Sequence, residues 1–296
     1  MPRLIVVMPA HNAEQTIASA LKSTLKFLPK DSRIVVWNDG SSDQTLDCVS
    51  RLADSRVQVM DSAISVGGGV ARSEVIAQTD SEFVANMDAD DICFPWRFAV
   101  QHHHIQSVDI SFTAAIKFGN SLRQIRPTSP LPYRPEDVAA SLAFHNTLSH
   151  PSMFARRSAL ELAGGYRDLK VAQDYDLWLR AATVDVRMGR IGLPCIGYRQ
   201  SPVQISKQAG YNQRIVSQHL INDAYLAYAE HRVPGTSERL QAASAHEQSR
   251  DSALNNLLSA QLRDFNPILR AYYKQLLRQK RLGPFAVSKL AMDTEK

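Results

Sequence analysis

The sequence is poor in the features that mark disulfide-stabilised or membrane-spanning proteins. Its three cysteines lie far apart along the 296 residues and include no CxxC pair, so neither a disulfide framework nor a zinc site is predicted. No stretch approaches the roughly eighteen consecutive apolar residues of a membrane span, and the apolar run at residues 4–8 ends at Pro9. We therefore expect a cytoplasmic protein.

The sequence also lacks the motifs of several other classes. There is no Walker A motif and no EF-hand spacing, and the glycine run at 67–69 comes too late for the glycine-rich signature of a nucleotidyltransferase that makes activated sugars. The histidines at 102–104 point about 100° apart on a helix and cannot converge on one ion. The net charge of +5 is modest and no DNA- or RNA-binding motif accompanies it, so no nucleic-acid partner is expected.

The first hundred residues alternate short β-rich runs with segments of helical period, which is typical of a sheet with helices on its faces. Strands are predicted at 4–8, 34–37, 57–60 and 83–87, and an amphipathic helix at 14–28. The same sheet is completed by β-like runs at 110–118, 152–155 and 186–199, with helices near 135–144 and 174–184. Three further helices are predicted at 211–231, 236–263 and 267–281. The expected fold is α/β, a mixed and mostly parallel sheet flanked by helices, with an appended C-terminal helical region.

Three carboxylates, Asp88, Asp90 and Asp91, follow the predicted strand at 83–87. Open α/β sheets bind ligands at the carboxyl ends of their strands. Because clustered negative charge is costly, a Mg²⁺ or Mn²⁺ ion shared with substrate phosphates is expected there rather than an all-protein calcium cage. The alternative is a solvated acidic loop that caps a helix.

Two groups of motifs accompany these carboxylates. The N-terminal pattern consists of Pro9-Ala10-His11-Asn12 with Glu14, residues 37–45, residues 67–72 and Asp88-Ala89-Asp90-Asp91. The C-terminal pattern consists of His150-Pro151-Ser152-Met153, Gly164-Gly165-Tyr166, residues 173–180 and Tyr198-Arg199. In their order and separations these motifs resemble the family 2 glycosyltransferases of the GT-A fold over residues 4–206. The resemblance implies a nucleotide-sugar-binding half at 1–115, an acceptor-binding half at 116–206 and a C-terminal helical region at 207–296.

The resemblance implies a site for a nucleotide-diphospho-sugar, with UDP favoured. Asp39 would accept a hydrogen bond from the base, and Arg72 would reach a base carbonyl or the phosphates. Each also has a simpler explanation, Asp39 as a turn residue and Arg72 as a surface residue. The other implied donor-site residues are Pro9, Ala10 and His11 around the base, Asp88 and Ala89 at the diphospho-sugar, and Asp90 with Asp88 at the metal.

For the acceptor, the resemblance implies that Asp174 is the general base that takes the hydroxyl proton, although a carboxylate at the start of a helix also suits the positive end of the helix dipole. Trp178 lies one helical turn further on and would form part of the acceptor wall, although a place in the core is an equal alternative. His150 would contact the acceptor or the metal. The implied reaction is an inverting transfer of a hexose or N-acetylhexosamine to a saccharide or lipid-linked acceptor, in polysaccharide or glycoconjugate synthesis.

The sequence departs from the family pattern at four positions. Gln173 stands where glutamate is usual, Ser201 stands where a histidine often ligates the metal, and Ser65 and Ser73 replace asparagines. These changes leave open a second class of function, a nucleotide-sugar-binding subunit of a larger assembly with little activity of its own.

The C-terminal segment at 263–289 carries seven basic residues and one acidic residue. Leu269, Tyr272, Tyr273, Leu276 and Leu277 form an apolar helix face beside this charge. Two interpretations follow: a helix packed on the catalytic domain, or a peripheral contact with anionic lipid at the inner face of the membrane, which would suit a lipid-linked acceptor.

Overall fold

The computed structural model describes residues 3–119, 122–201, 204, 209–242 and 247–278. The chain forms two compact units that are interleaved along the sequence. Unit 1 comprises Met1–Pro132, Leu148–Lys170 and Arg187–Pro202, and unit 2 comprises Tyr133–Thr147, Val171–Val186 and Val203–Lys296. The functional division at 1–115, 116–206 and 207–296 concerns ligand binding and stays a prediction.

The first part of unit 1 alternates strands and helices as the sequence predicts. The elements are β1 (Leu4–Ala10), α1 (Ile17–Phe27), β2 (Ser32–Asp39), α2 (Thr45–Ser50), β3 (Val57–Ser62), α3 (Gly68–Ala77) and β4 (Phe83–Asn86). β1 pairs in parallel with both β2 and β4, and β2 pairs in parallel with β3. Residues 4–8 are all buried, which explains why this strand reads as a continuous apolar run rather than an alternating one.

The next part of the chain completes the sheet. The elements are β5 (Ile92–Cys93), α4 (Arg97–His104), β6 (Ile110–Phe118), β7 (Arg126–Pro127), α5 (Pro135–Ser141), β8 (Phe154–Arg156), α6 (Arg157–Leu162), α7 (Gln173–Thr183) and β9 (Met188–Arg199). The strand order is β3-β2-β1-β4-β8-β6-β9-β5, with β7 beside β6. β8 is antiparallel to β4 and β6, whereas β9 is parallel to β6. The predicted α/β fold is confirmed, and all of these strands lie in unit 1.

Unit 2 is helical in its described residues. α5 and α7 are joined there by α8 (Tyr211–Val216), α9 (His219–Arg232), α10 (Thr236–Ala242), α11 (Glu247–Asp264) and α12 (Pro267–Arg278). The prediction of one helix at 211–231 is wrong, because α8 and α9 are separate. Residues 279–281 of the last predicted helix lie outside the described residues.

The apolar face of α12 packs inside unit 2. Leu269 and Tyr273 are fully buried, and the Tyr273 ring stacks on Phe265 with centroids 4.3 Å apart and planes 3° from parallel. Tyr272 remains exposed. The described part of this helix therefore uses its apolar face for core packing and lends no support to the predicted lipid contact. None of the helices in the described residues combines the length and apolar character that a membrane crossing requires.

Candidate functional site

The loops that follow β1 and β2 are tied together at the carboxyl ends of these strands. The Ala13 N–H donates to Thr45 Oγ1 over 2.8 Å, and the Ser42 N–H donates to Asn12 Oδ1 over 2.9 Å. Asn12 has a φ of 50°, in the left-handed region that asparagine tolerates better than most residues. Asn12 in the first loop and Thr45 in the second thus hold the two loops together at this edge of the sheet.

The predicted residues Pro9, Ala10 and His11 end β1 and begin the following loop. Ala10 is buried, Pro9 is partly buried and His11 is exposed. His11 Nδ1 lies 2.7 Å from the backbone oxygen of Asp39. Because a carbonyl oxygen only accepts, His11 must carry a proton on Nδ1. The structure therefore brings His11 to the Asp39 backbone, and their shared place in a nucleotide pocket stays a prediction.

Asp39 ends β2, and its carboxylate holds the loop that leads into α3. Val66 N–H donates to Oδ1 over 2.7 Å, while the Ser65 hydroxyl and the Gly67 N–H donate to Oδ2 over 2.8 and 3.0 Å. Burial by itself raises the pKa of Asp39, but these hydrogen bonds bring it below its ordinary value. Ser65, which the sequence shows only as a departure from the family pattern, is thus part of the site. The Trp37 side chain also lowers the pKa of Asp39.

Gly40 allows this loop to lie close to β2. Its φ is +65°, and a Cβ placed on it would lie 2.7 Å from backbone atoms of both Ile64 and Ser65. Backbone atoms cannot swing away as a flexible side chain can. Any larger residue at this position must displace the loop that hydrogen-bonds Asp39.

Arg72 lies on α3 and pairs with the first carboxylate of the acidic motif. Its Nη2 donates to Asp88 Oδ1 over 2.7 Å, and its Nη1 donates to the Gly68 carbonyl over 2.9 Å. Its Nε is buried and has no hydrogen-bond partner among the described residues. The structure therefore brings Arg72 to the carboxylate cluster, and its contact with a nucleotide stays a prediction.

Asp88, Asp90 and Asp91 form a cluster whose nearest oxygens all lie within 4.8 Å of one another, with the buried Ala89 between them in sequence. Burial, and then repulsion by Asp88, raises the pKa of Asp90 to about 6. Burial, and then Asp88 and Asp90, hold the pKa of Asp91 well above its usual value. Crowded carboxylates of this kind fit a divalent cation, which would relieve the repulsion.

The third carboxylate also has a structural partner. Asp91 Oδ1 accepts from the Arg199 N–H over 2.8 Å, which fixes the end of β9 beside the cluster. Its Oδ2 is buried and has no hydrogen-bond partner in the described part of the chain. Asp88 and Asp90, both partly exposed, therefore remain the candidate metal ligands.

Arg97 supports the end of β4 beside the acidic motif and was not found by the sequence analysis. It is fully buried on α4, and its Nη2 donates to the backbone oxygens of Asn86 over 2.6 Å and Pro151 over 2.9 Å. It thereby ties the end of β4, just before the acidic motif, to the 3₁₀ turn His150–Ser152. Its charge also moderates the raised pKa of Asp91.

His150 belongs to this turn and joins a short chain of polar side chains. Its Nε2 lies 2.8 Å from the Tyr166 hydroxyl, which lies 2.8 Å from Asn86 Nδ2. Burial, and then the positive charge of Arg72, hold the pKa of His150 well below its usual value. His150 is therefore neutral near pH 7 and lies on the side of unit 1 that carries Arg72.

In unit 2, Asp174 is the second residue of α7 and accepts a hydrogen bond from Asn146 Nδ2 over 2.7 Å. Asp176, two residues on, is fully buried and pairs with Arg180 over 2.8 Å. Asp174 is thus partly exposed, whereas Asp176 is buried and has a structural partner. Trp178 is fully buried, which favours core packing, and its contact with an acceptor stays a prediction.

Comparison with known proteins matches residues 5–162 to the family model described as Glycosyl transferase family 2. The putative glycosyltransferase EpsE of Bacillus subtilis is 26% identical over 191 residues, 60% of this chain and 66% of that protein. The Escherichia coli UDP-Glc:alpha-D-GlcNAc-diphosphoundecaprenol beta-1,3-glucosyltransferase WfgD is 31% identical over 107 residues, 36% of this chain and 42% of that protein. The chain thus spans less than two thirds of the length of either relative.

Among solved structures, S. aureus TarS 1–349 in complex with UDP-GlcNAc superposes with a TM-score of 0.58 at 19% identity. The superposition covers 88% of this chain and 82% of that one. At this identity the likeness establishes a common fold.

Proposed function

Because the chain belongs to glycosyl transferase family 2, we propose that this glycosyltransferase moves a hexose or N-acetylhexosamine from a UDP-sugar to a saccharide or lipid-linked acceptor with inversion. One observation carries the donor assignment: Asp39, the Arg72–Asp88 pair and Asp90 lie where the parallel strands of unit 1 end. The names of WfgD, which describe UDP-glucose and a lipid diphosphate acceptor, and of the TarS complex with UDP-GlcNAc support the same substrate class.

The donor would be held by chemistry that these residues already possess. Asp39 is ionised and accepts the imide N–H of uracil, and Arg72 donates to phosphate oxygens. Asp88 and Asp90 would hold Mn²⁺ or Mg²⁺, which when bound offsets the negative charge that develops on the departing UDP. Separation of the Arg72–Asp88 pair would free both charges for these two partners.

Asp174 supplies the base. Its carboxylate takes the proton of the acceptor hydroxyl, whose oxygen bonds to the anomeric carbon as the bond from that carbon to the UDP oxygen breaks. Attack on the face opposite the leaving group inverts the anomeric configuration. The Asn146 amide, 2.7 Å from Oδ2, holds the carboxylate in place and stabilises its ionised form.

Asp174→Asn tests the proposal. We expect donor affinity to be unchanged and acceptor-dependent UDP release to fall by about 10²- to 10⁴-fold, because the amide cannot take the proton. UDP release is followed in a coupled assay with Mn²⁺ and a panel of UDP-sugars, while affinity is measured by calorimetry.

Asp185→Asn is the matched control, since this exposed carboxylate just beyond α7 lies 3.0 Å from His231 Nε2 and should leave turnover unchanged. Normal turnover in Asp174→Asn would reject Asp174 as the base. A wild-type protein that binds UDP-sugars but releases no UDP, with or without acceptor, would instead favour the low-activity binding subunit.

A further inference from the structure

We propose that Arg97 and Gln101 are positioning residues for the acidic motif, and that they hold the segment carrying Asp88 and Asp90 in the conformation that binds a divalent cation. All of the contacts involved lie inside unit 1. The consequence for Mn²⁺ rests on the metal site of the proposed function, and neither residue is proposed to contact the ion.

The Arg97 side chain joins the two ends of the segment that contains the acidic motif. Arg97 is the first residue of α4, and its Nη2 donates back to the backbone oxygen of Asn86, the last residue of β4, over 2.6 Å. The three carboxylates lie in the chain between these two residues. Because one guanidinium fixes both ends of the segment, it limits the positions that Asp88 and Asp90 can take.

The same guanidinium ties this segment to a second part of the chain. Its Nη2 also donates to the Pro151 backbone oxygen over 2.9 Å, in the 3₁₀ turn that follows far along the sequence. Its Nη1 lies 3.1 Å from Met87 Sδ, and its Nε donates to Gln101 Oε1 over 3.2 Å. Each guanidinium nitrogen therefore has an acceptor inside unit 1.

Gln101 lies one helical turn further along α4 and is fully buried. Its Oε1 accepts from Arg97, while its Nε2 donates to the backbone oxygens of Ser152 over 2.7 Å and Ser111 over 3.1 Å. The reverse orientation of the amide would set Oε1 against two carbonyl oxygens, so the contacts determine which end faces Arg97. Gln101 thus orients the guanidinium and fixes α4 against the turn and β6.

The burial of Arg97 indicates that its role lies in these contacts. A fully buried guanidinium is costly, and among the residues that the structure describes no carboxylate lies within ion-pair distance of it. An apolar side chain would avoid that cost but would deprive the Asn86 and Pro151 backbone oxygens of this donor. Since Asn86 lies two residues before Asp88, we expect the loss to act on the acidic motif.

Mn²⁺ affinity tests this role without any turnover. Free Mn²⁺ is measured by electron paramagnetic resonance, with and without UDP. Arg97→Met keeps much of the side-chain length but cannot donate, and we expect it to raise the Mn²⁺ Kd about 10-fold, the lower end of the effect of residues that orient metal ligands. Gln101→Leu removes only the partner that orients the guanidinium and should raise the Kd less, by about 3-fold.

Arg157→Met is the matched control, because Arg157 supports the opposite end of β4. Its Nη1 donates to the Ile76 backbone oxygen over 2.7 Å and its Nε to that of Ser81 over 2.9 Å, just before the strand begins. The loss of this arginine should lower Tm but leave the Mn²⁺ Kd unchanged. A purely structural role for Arg97 would give its methionine variant an unchanged Kd as well.

Arg97→Lys serves if Arg97→Met does not fold. It retains the charge but should still raise the Mn²⁺ Kd, because an ammonium lacks the planar fork that reaches Gln101 and both backbone oxygens together. An unchanged Kd in those Arg97 and Gln101 variants that fold, or an equal rise in Arg157→Met, would overturn the proposal.

The metal measurement and the proposed function fail separately. A wild-type protein that binds Mn²⁺ but no UDP-sugar rejects the proposed donor and leaves the comparison of Mn²⁺ affinities intact. A wild-type protein that binds UDP-sugars with Mn²⁺, but whose Arg97 variants keep the wild-type Mn²⁺ Kd, rejects only the positioning role. Absence of Mn²⁺ binding to the wild-type protein, even with UDP, would overturn both that role and the proposed metal site.

Discussion

Asp174 depends on a side chain 28 positions earlier in the sequence. The Asn146 amide donates to Oδ2, and a hydrogen bond to an ionised group contributes about 1.5–3 kcal/mol. If that bond holds the proposed base in its reactive orientation, its loss acts on the chemical step rather than on donor binding. Asn146 is then a positioning residue for the proposed base.

Asn146→Ala is therefore expected to lower kcat about 10- to 100-fold with little change in donor Kd. Steady-state kinetics and calorimetry separate the two quantities, and Asn212→Ala on the exposed side of α8 is the control. In an Asp174→Asn background, Asn146→Ala should have almost no further effect. A full additional loss in the double variant would mean that Asn146 acts elsewhere.

The Asp39 carboxylate makes a pH-dependent contribution to the stability of the fold. Its folded pKa lies below the ordinary value, so the unfolded chain binds this proton more readily. The stabilisation is complete above the unfolded pKa of about 4 and is lost as the pH falls through the folded pKa. The difference in unfolding free energy between wild type and Asp39→Asn should thus shrink between about pH 6 and about pH 3. Urea denaturation measures this difference in unfolding free energy. A difference that grows as the pH falls would show that folding raises the pKa of Asp39 rather than lowering it.

Sequence reasoning could find the residues at strand ends but not those that act through distant partners. The acidic motif and Asp39 follow apolar runs, and the ends of such runs predict the sheet edge where both lie. Arg97 and Asn146 leave no comparable signal. Arg97 donates to backbone oxygens, which every residue possesses, and Asn146 lies in a loop without periodicity.

At the scale of elements, the connection between β3 and α3 determines whether Asp39 is held. Its donors, Ser65, Val66 and Gly67, can reach the carboxylate only if the loop lies against Gly40. A comparison of Gly40 with Gly165 distinguishes the effect of this close approach from the effect of backbone strain. Both have positive φ, +65° and +62°, but a Cβ on Gly165 would meet nothing within 4 Å.

Gly40→Ala should consequently destabilise the protein by more than Gly165→Ala does. The latter costs only the strain of an alanine in the left-handed region, about 1–2 kcal/mol. Only Gly40→Ala should also weaken UDP binding, because only there does the displaced loop release Asp39. Thermal unfolding and calorimetry on both variants give the comparison. Equal destabilisation, with equal affinity for UDP, would show that the close approach to the loop is unimportant.

Strand prediction succeeded where buried residues follow one another, whereas helix prediction failed where tertiary packing determines the boundary. β6 occupies 110–118 as predicted, and its first six residues are all buried. The separation of α8 from α9 lies at Ser217 and Gln218, neither of which breaks helices strongly. The apolar stripe of α12 gave no indication of whether protein or lipid would cover it, and in the described residues Leu269 and Tyr273 are covered by protein.

For the whole molecule, the interleaving of the two units could not be predicted. The chain passes from one unit to the other near residues 132, 147, 170, 186 and 202, and of these five boundaries two lie at a proline, a residue that typically marks one. Contacts between segments far apart in sequence define the units, and such contacts leave no local pattern. The division of the chain into ligand-binding regions, which the resemblance implies, therefore need not coincide with its division into compact units.

Global stability can test the proposed donor site, because a ligand that binds only the folded chain stabilises it by about 2.7 kcal/mol at a hundred times its Kd. In a thermal-shift panel of nucleoside diphosphates, UDP should raise Tm most, and Mn²⁺ should increase that shift. EDTA should remove the increase. GDP and dTDP should give smaller shifts if Asp39 reads the uracil imide.

Asp90→Ala should abolish the Mn²⁺-dependent part of the UDP shift, since Ser201 stands where the family often has a metal-ligating histidine and Asp88 is held by Arg72. The same variant without UDP should be no less stable than wild type, because it relieves a carboxylate whose pKa burial and Asp88 raise to about 6. Asp168→Ala, which removes an exposed carboxylate of unit 1, is the control and should keep the full Mn²⁺ effect. Persistence of that effect in Asp90→Ala would assign the metal to other ligands, and the acidic motif would then serve the fold and the Arg72 pair alone.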